Sequence, residues 1–222
     1  MKYKAVIFDL DGVICHTDRY HYMAWKKLAG KIGVYFDEQI NNRLRGVSRM
    51  ESLEIILERW QGEPLSEEEK IKLAEEKNKF YRELLRQMSP KDLSKKVKDT
   101  LDILRMNGLK LAIGSSSKNT KFILGQIGLG DYFDAVSDGN NITRSKPYPD
   151  VFQMAAQYLN IEASECLVVE DAKAGIDAAV AAGMDSAAIG DAYGYSKATY
   201  SLSNFSQLLQ VCGVNNDISL VI

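Results

Sequence analysis

The chain has 222 residues, 45% hydrophobic and 26% charged, the balance of an ordinary globular protein. Its 28 basic and 30 acidic side chains leave a net charge of −2, so bulk electrostatics point to no nucleic-acid or membrane-surface partner. Too few apolar residues precede Asp9 for a secretory core, no apolar run reaches a membrane span, and Cys15, Cys166 and Cys212 lack CxxC spacing; a cytoplasmic chain with idle thiols is expected, without disulfides or zinc.

In chain order, residues 4–8 form a short apolar run that ends in a polar, glycine-containing turn at 9–12. That pattern suits a buried parallel strand with chemistry at its carboxyl end. No strand pattern follows between 16 and 88; the spacing predicts helices over 20–32, 38–44, 49–60 and 67–88. Ser66 with Glu69 three residues on is a capping box for the last of these, and the acidic run 67–69 suits its dipole. Alternation then begins: helix 97–106, strand 110–114, helix 118–127, strand 134–136, helix 149–159, strand 166–169, helix 174–182 stopped by Gly183, and strand 186–189. The order argues for an α/β fold with a Rossmann-like parallel sheet. The sheet domain takes residues 1–15 and 93–222, and an inserted all-helical cap takes 16–92. The segment after Cys212 has no evident role.

Four polar sites fall at or near predicted strand ends: Asp9 with Asp11, Ser115, Lys146, and Glu170 with Asp171. In a parallel sheet all such ends share one edge, so these residues can converge. Several carboxylates in one cleft need a cation, and all-oxygen ligands favour a hard ion such as Mg²⁺. A lysine and a hydroxyl suit the equatorial oxygens of a transferring phosphoryl group. An aspartate can be its covalent acceptor, with a second carboxylate as acid and base. Taken singly, each has a plainer reading: Asp9 and Asp11 as turn formers, 115–117 as a polar loop with a helix cap, Lys146 as a solvated lysine.

Together, residues 9–13 (Asp-Leu-Asp-Gly-Val), the serine at the second strand, Lys146 before Pro147, and Glu170 with Asp171 resemble the four motifs of the haloacid dehalogenase superfamily of phosphotransferases. The resemblance covers residues 3–190 and includes the position of the cap. It narrows to the β-phosphoglucomutase branch at residues 45–52 (Arg-Gly-Val-Ser-Arg-Met-Glu-Ser), at Thr17, His21 and Trp25, at Lys77 with Asn78, and at 115–119 (Ser-Ser-Ser-Lys-Asn). That branch implies Asp9 as nucleophile and metal ligand, and Asp11 as acid and base whose carbonyl also meets the metal. Glu170 and Asp171 would complete the Mg²⁺ site, and Ser115 and Lys146 would hold the transferring group. Arg49, Ser117 and Asn119 would grip the distal phosphate, with Ser116 and Lys118 in the same loop. Gly46, Val47, Ser48, Ser52 and Lys77 would contact sugar or help the cap to close, and His21 would lie near Asp11.

The implied reaction interconverts β-D-glucose 1-phosphate and D-glucose 6-phosphate through an aspartyl-phosphate and a bisphosphate. The substrate is a small sugar phosphate and the chain a monomer. The core motifs fit equally a phosphatase of small sugar phosphates on the same scaffold; an inactive binding module is the remaining class. Two departures stand out: Ala172 with Lys173 after the acidic pair, and Asp18 with Arg19 after Thr17. Without the resemblance, Trp25 reads as cap core and Lys77, in the charged run 75–77, as part of a solvated face.

Overall fold

A computed structural model describes residues 2–44 and 47–214. Its centre is a six-stranded parallel sheet of order β3-β2-β1-β4-β5-β6. The strands are β1 (Ala5–Phe8), β2 (Lys110–Gly114), β3 (Ala135–Ser137), β4 (Cys166–Glu170), β5 (Asp185–Ala188) and β6 (Tyr200–Ser201). Side chains alternate across it. Val6, Phe8, Leu111, Ile113, Leu167 and Val169 join one buried cluster, while Ala5, Ile7, Ala112, Cys166 and Val168 join another. The first face is covered by α5 (Lys95–Met106), α6 (Thr120–Gln126) and α9 (Leu208–Val211). The second is covered by α7 (Asp150–Leu159) and α8 (Lys173–Ala181). Burial on both faces is why the three central strands are continuous apolar runs.

Between β1 and α5 lie α1 (Asp18–Lys31), α2 (Glu38–Asn42), α3 (Arg49–Leu57) and α4 (Glu67–Leu85). They build a separate core from Trp25, Leu28, Phe36, Ile40, Leu53, Ile56 and Ala74. The Ser66–Glu69 capping box forms at the start of α4, and Ser48 with Glu51 forms a second at the start of α3.

Several boundaries differ from the sequence reading. The expected helices to 60 and 88 end at Leu57 and Leu85. Their last residues close in tight i→i+3 turns, Trp60 to Leu57 and Met88 to Leu85, which retain the apolar spacing without the helix. Helix α6 starts at Thr120, because Asn119 is its N-cap and residues 115–118 form a loop. Strand β6 was not expected; it is a two-residue edge with little apolar content. Cys15, Cys166 and Cys212 are free and buried. Among the described residues no helix is long and apolar enough to cross a membrane.

Candidate active site

Parallel register assembles the site. Phe8 is level with Ile113 on one side and Val169 on the other, so the residues that follow emerge side by side. Asp9 is held there by its N–H, which donates to the Val169 carbonyl at 2.9 Å. Lys146, from the loop before α7, is buried and donates to Asp9 Oδ1 and Glu170 Oε1, each at 2.5 Å. The other oxygen of Glu170 accepts from the Ala172 N–H at 2.8 Å. Asp171 lies against Gly12, where a Cβ would come within 2.1 Å of its Oδ2. Gly12 has φ +86°, so the turn after Asp11 needs glycine both for its backbone and for room.

Negative charge is crowded here. Burial raises the Asp9 carboxyl well above its usual value; Lys146 opposes, but Glu170, Asp171 and Asp11 add to the rise. Burial, then Glu170, pushes Asp171 up to about 7. Burial also lifts Asp11 to about 6, against a hydrogen bond from Thr17. The Lys146 ammonium is held above its ordinary value, because Asp9 and Glu170 outweigh its own burial.

The predicted ligands Asp9, Asp11, Glu170 and Asp171 do not form a closed metal cage. Among the described residues no three His, Cys, Asp or Glu side chains are placed to hold a metal ion. Lys146 binds two of the four, and both Glu170 oxygens are engaged. The donor chemistry nevertheless fits Mg²⁺: Mg²⁺ commonly takes only one or two carboxylates plus water and phosphate oxygens, and Asp9 and Asp171 are oxygen donors raised first by burial and then by neighbouring carboxylates, a repulsion that a cation would relieve.

The helical insertion supplies the other wall. Thr17 donates to Asp11, and Tyr81 donates to Thr17 at 3.1 Å. His21, expected near Asp11, lines the same cavity; its Nδ1 meets Lys77 Nζ at 3.0 Å, and its ring packs on Tyr81. Burial holds both His21 and Lys77 well below their ordinary values. Lys77 is 2% exposed, which overturns the solvated-face reading. The residues Ala74, Lys77, Tyr81 and Leu85 are all buried and recur at helical spacing, so Lys77 sits in the apolar stripe of α4. Arg49 Nη2 and Asn119 Nδ2 each donate to Asn78 Oδ1, at 3.0 and 2.9 Å.

In the loop after β2, the Ser117 N–H donates to Ser115 Oγ and the Asn119 N–H to Ser117 Oγ, both at 3.2 Å. Each hydroxyl oxygen is thus an acceptor within the loop, a bond that does not commit its proton. Among the described residues the Ser116 hydroxyl is buried without a partner. The strand ends, the loop after β2 and part of the insertion border one cavity of about 440 Å³, within the usual size for a small-molecule site.

Of the expected residues, Asp9, Asp11, His21, Trp25, Val47, Arg49, Ser52, Lys77, Lys146, Glu170 and Asp171 line that cavity, as do all five of residues 115–119. Trp25 also belongs to the core of the insertion, as its plainer reading has it. Two do not line it: Thr17 sits behind Asp11, and Ser48 caps α3 and thereby sets where Arg49 starts. Gly46 lies outside the described residues. Asp18, Asn41, Tyr81, Lys173 and Asp191 line the cavity without having been expected there. Asp18 and Lys173 lie within two residues of the motif residues Thr17 and Asp171, and Tyr81 lies four residues beyond Lys77 on the same stripe, so these three had a usable signal.

A family model for haloacid dehalogenase-like hydrolases matches residues 3–183. A β-phosphoglucomutase of Bacillus subtilis is 41% identical over 188 residues, covering 84% of this chain and 83% of that protein. A fructose-1-phosphate phosphatase of Escherichia coli is 34% identical, covering 83% of this chain and 95% of that one. Among solved structures, a β-phosphoglucomutase from Clostridium difficile superposes with a TM-score of 0.85 at 40% identity, covering 93% of each chain.

Proposed function

The chain belongs to the haloacid dehalogenase-like hydrolases, and we propose that it is a phosphotransferase interconverting β-D-glucose 1-phosphate and D-glucose 6-phosphate. The observation that carries this over simple hydrolysis is Arg49. It lines the same cavity as Lys146. Its guanidinium hydrogen-bonds a neutral amide and forms no carboxylate ion pair among the described residues. A mutase must hold both phosphoryl groups of a bisphosphate, so it needs a second anion grip that a phosphatase can do without.

In this reading the resting enzyme carries a phosphoryl group on Asp9. A sugar hydroxyl attacks the phosphorus while Asp11 takes its proton; the bond to Asp9 breaks and the carboxylate is restored. The bisphosphate turns over within the site. Asp9 then attacks its other phosphoryl group, and Asp11 returns the proton to the departing sugar oxygen. The Asp11 carboxyl, lifted to about 6, suits a group that must give and take a proton near neutrality. Ser115 and Lys146 donate to the oxygens of the transferring group. Asp9, Asp171 and the Asp11 carbonyl would hold Mg²⁺, which when bound neutralises phosphoryl charge and lets neighbouring carboxylates stay ionised. The cap over residues 16–92 closes on the sugar and keeps water from phospho-Asp9. The chain acts in the cytoplasm as a monomer, a setting with which its three buried free thiols agree.

The test follows glucose 6-phosphate formed from β-glucose 1-phosphate with Mg²⁺ and a trace of glucose 1,6-bisphosphate, alongside free phosphate. Transfer should exceed hydrolysis by a wide margin. Brisk phosphate release without glucose 6-phosphate would identify a sugar-phosphate phosphatase instead.

A further inference from the structure

On the reading above, Arg49 and Asn119 face the phosphoryl group that is not being transferred. Both already share one acceptor. Arg49 Nη2 and Asn119 Nδ2 converge on the single oxygen Oδ1 of Asn78, at 3.0 and 2.9 Å. The three residues come from three places: Arg49 opens α3, Asn78 lies in the middle of α4, and Asn119 caps α6 in the sheet domain. Two donors on one acceptor at these distances stand no more than about 6 Å apart, a gap that one phosphoryl group can bridge.

We infer that Asn78 is a positioning residue for the second phosphoryl group of a sugar bisphosphate. Its carbonyl oxygen fixes the Arg49 guanidinium and the Asn119 amide as a pair while the site is empty. Each donor spends one N–H on Asn78. Most of the guanidinium donors and one amide hydrogen remain for the anion. A neutral acceptor is what this role requires. A carboxylate in its place would pair with the guanidinium and cancel the charge that the phosphoryl group needs. The same oxygen ties α3 and α4 to the loop after β2, so the grip is assembled only when insertion and sheet are in register. Lys77, beside Asn78 on α4, reaches His21, and Tyr81, one turn on, reaches Thr17 behind Asp11. One face of α4 therefore supports both the distal grip and the acid/base.

The experiment measures glucose 1,6-bisphosphate binding to the intact chain with Mg²⁺ by titration calorimetry. It uses Asn78→Ala, Asn78→Asp, Arg49→Ala and the double variant Arg49→Ala/Asn78→Ala. Asn78→Ala should weaken binding about tenfold, the scale of losing oriented bonds to a charged group, and Asn78→Asp should weaken it further. In the Arg49→Ala background the Asn78→Ala change should weaken binding by less than about threefold, because the residues act as a unit. A merely structural role would weaken binding equally in both backgrounds. That result, or an Asn78→Ala variant that binds like wild type, overturns the inference and leaves the proposed reaction standing. A wild-type chain that does not bind the bisphosphate overturns both.

Discussion

Replacing Lys146 by Met keeps an unbranched side chain, one atom shorter, and removes its charge. The ammonium lies 2.5 Å from both Asp9 and Glu170, and the three side chains are 4%, 10% and 2% exposed, so water screens little of the interaction. Each pair is worth on the order of 4 kcal/mol of Coulomb energy at an effective dielectric of 20 and ~4 Å. The variant does not lose that whole amount, because a stranded carboxyl can take up a proton. A net loss of about 3–5 kcal/mol is expected, the usual result of removing one partner from a buried ion pair. For a chain of this size that lowers Tm by roughly 10 °C.

The sign with pH follows from Asp9. Its folded pKa stands above its unfolded one, so its contribution to stability is present at low pH and is lost as pH rises through the folded value. Without Lys146 that pKa rises further. The deficit of the variant should therefore be smallest near pH 5 and should grow toward pH 8. Urea unfolding followed by far-UV circular dichroism in EDTA, at pH 5, 6.5 and 8, gives the comparison. Added Mg²⁺ should restore part of the loss at pH 8 by supplying positive charge. A deficit under about 1 kcal/mol, or one that is larger at the acid end, would refute the buried-triad account.

Replacing Asp9 by Asn should lower turnover by about 10⁴-fold or more with the chain still folded, as stopped assays and far-UV circular dichroism would show. Gly12→Ala forces a strained backbone and a Cβ into Asp171, so stability should fall by about 1–3 kcal/mol and Mg²⁺ affinity should drop, both measurable by thermal melts with and without the ion. Mg²⁺ should stabilise the wild type more at pH 8 than at pH 6, because Asp171, at about 7, must give up its proton to bind; equal shifts at the two pH values would count against Asp171 as a ligand. Lys77→Met should raise stability by about 0.5–2 kcal/mol while lowering activity. The depressed Lys77 pKa means the wild type is penalised while that lysine is protonated, so the gain should shrink as pH rises, as a pH series of melts would show.

The sheet and its edge were legible because one rule governs them. Residues 5–8, 111–113 and 166–169 are continuous apolar runs only because both faces of the sheet are covered, and parallel strands bring their ends to one side. Asp9, Ser115 and Glu170 could therefore be placed together without any knowledge of side-chain contacts. β6 escaped because two residues at an edge, Tyr200 and Ser201, carry no such run. The closing turns at 58–60 and 86–88 escaped because they keep the helical apolar spacing while their hydrogen bonds shorten to i→i+3.

No comparable rule places the wall contributed by the insertion. Four helices can cross in many ways, and periodicity gives each inward face without giving its neighbour. Thus the charged run 75–77 pointed Lys77 toward solvent, while helix packing buries it in the stripe 74, 77, 81, 85 and against His21. Likewise the hydroxyl on Asp11 comes from Thr17, six residues away in the linker, where spacing pointed to no contact. The division matters for function. In the proposed reaction the strand-end residues supply the phosphoryl acceptor, a step that transfer and hydrolysis share. Arg49, Asn78 and Asn119 meet only through packing of the insertion against the sheet. If the chain is a mutase, its distinction from a phosphatase lies in that contact, and a lesion there should raise the ratio of phosphate released to glucose 6-phosphate formed more than a lesion at Ser115 does. Arg49→Ala and Ser115→Ala, compared for both products in one assay, give the check; equal ratios would return the distinction to the strand ends.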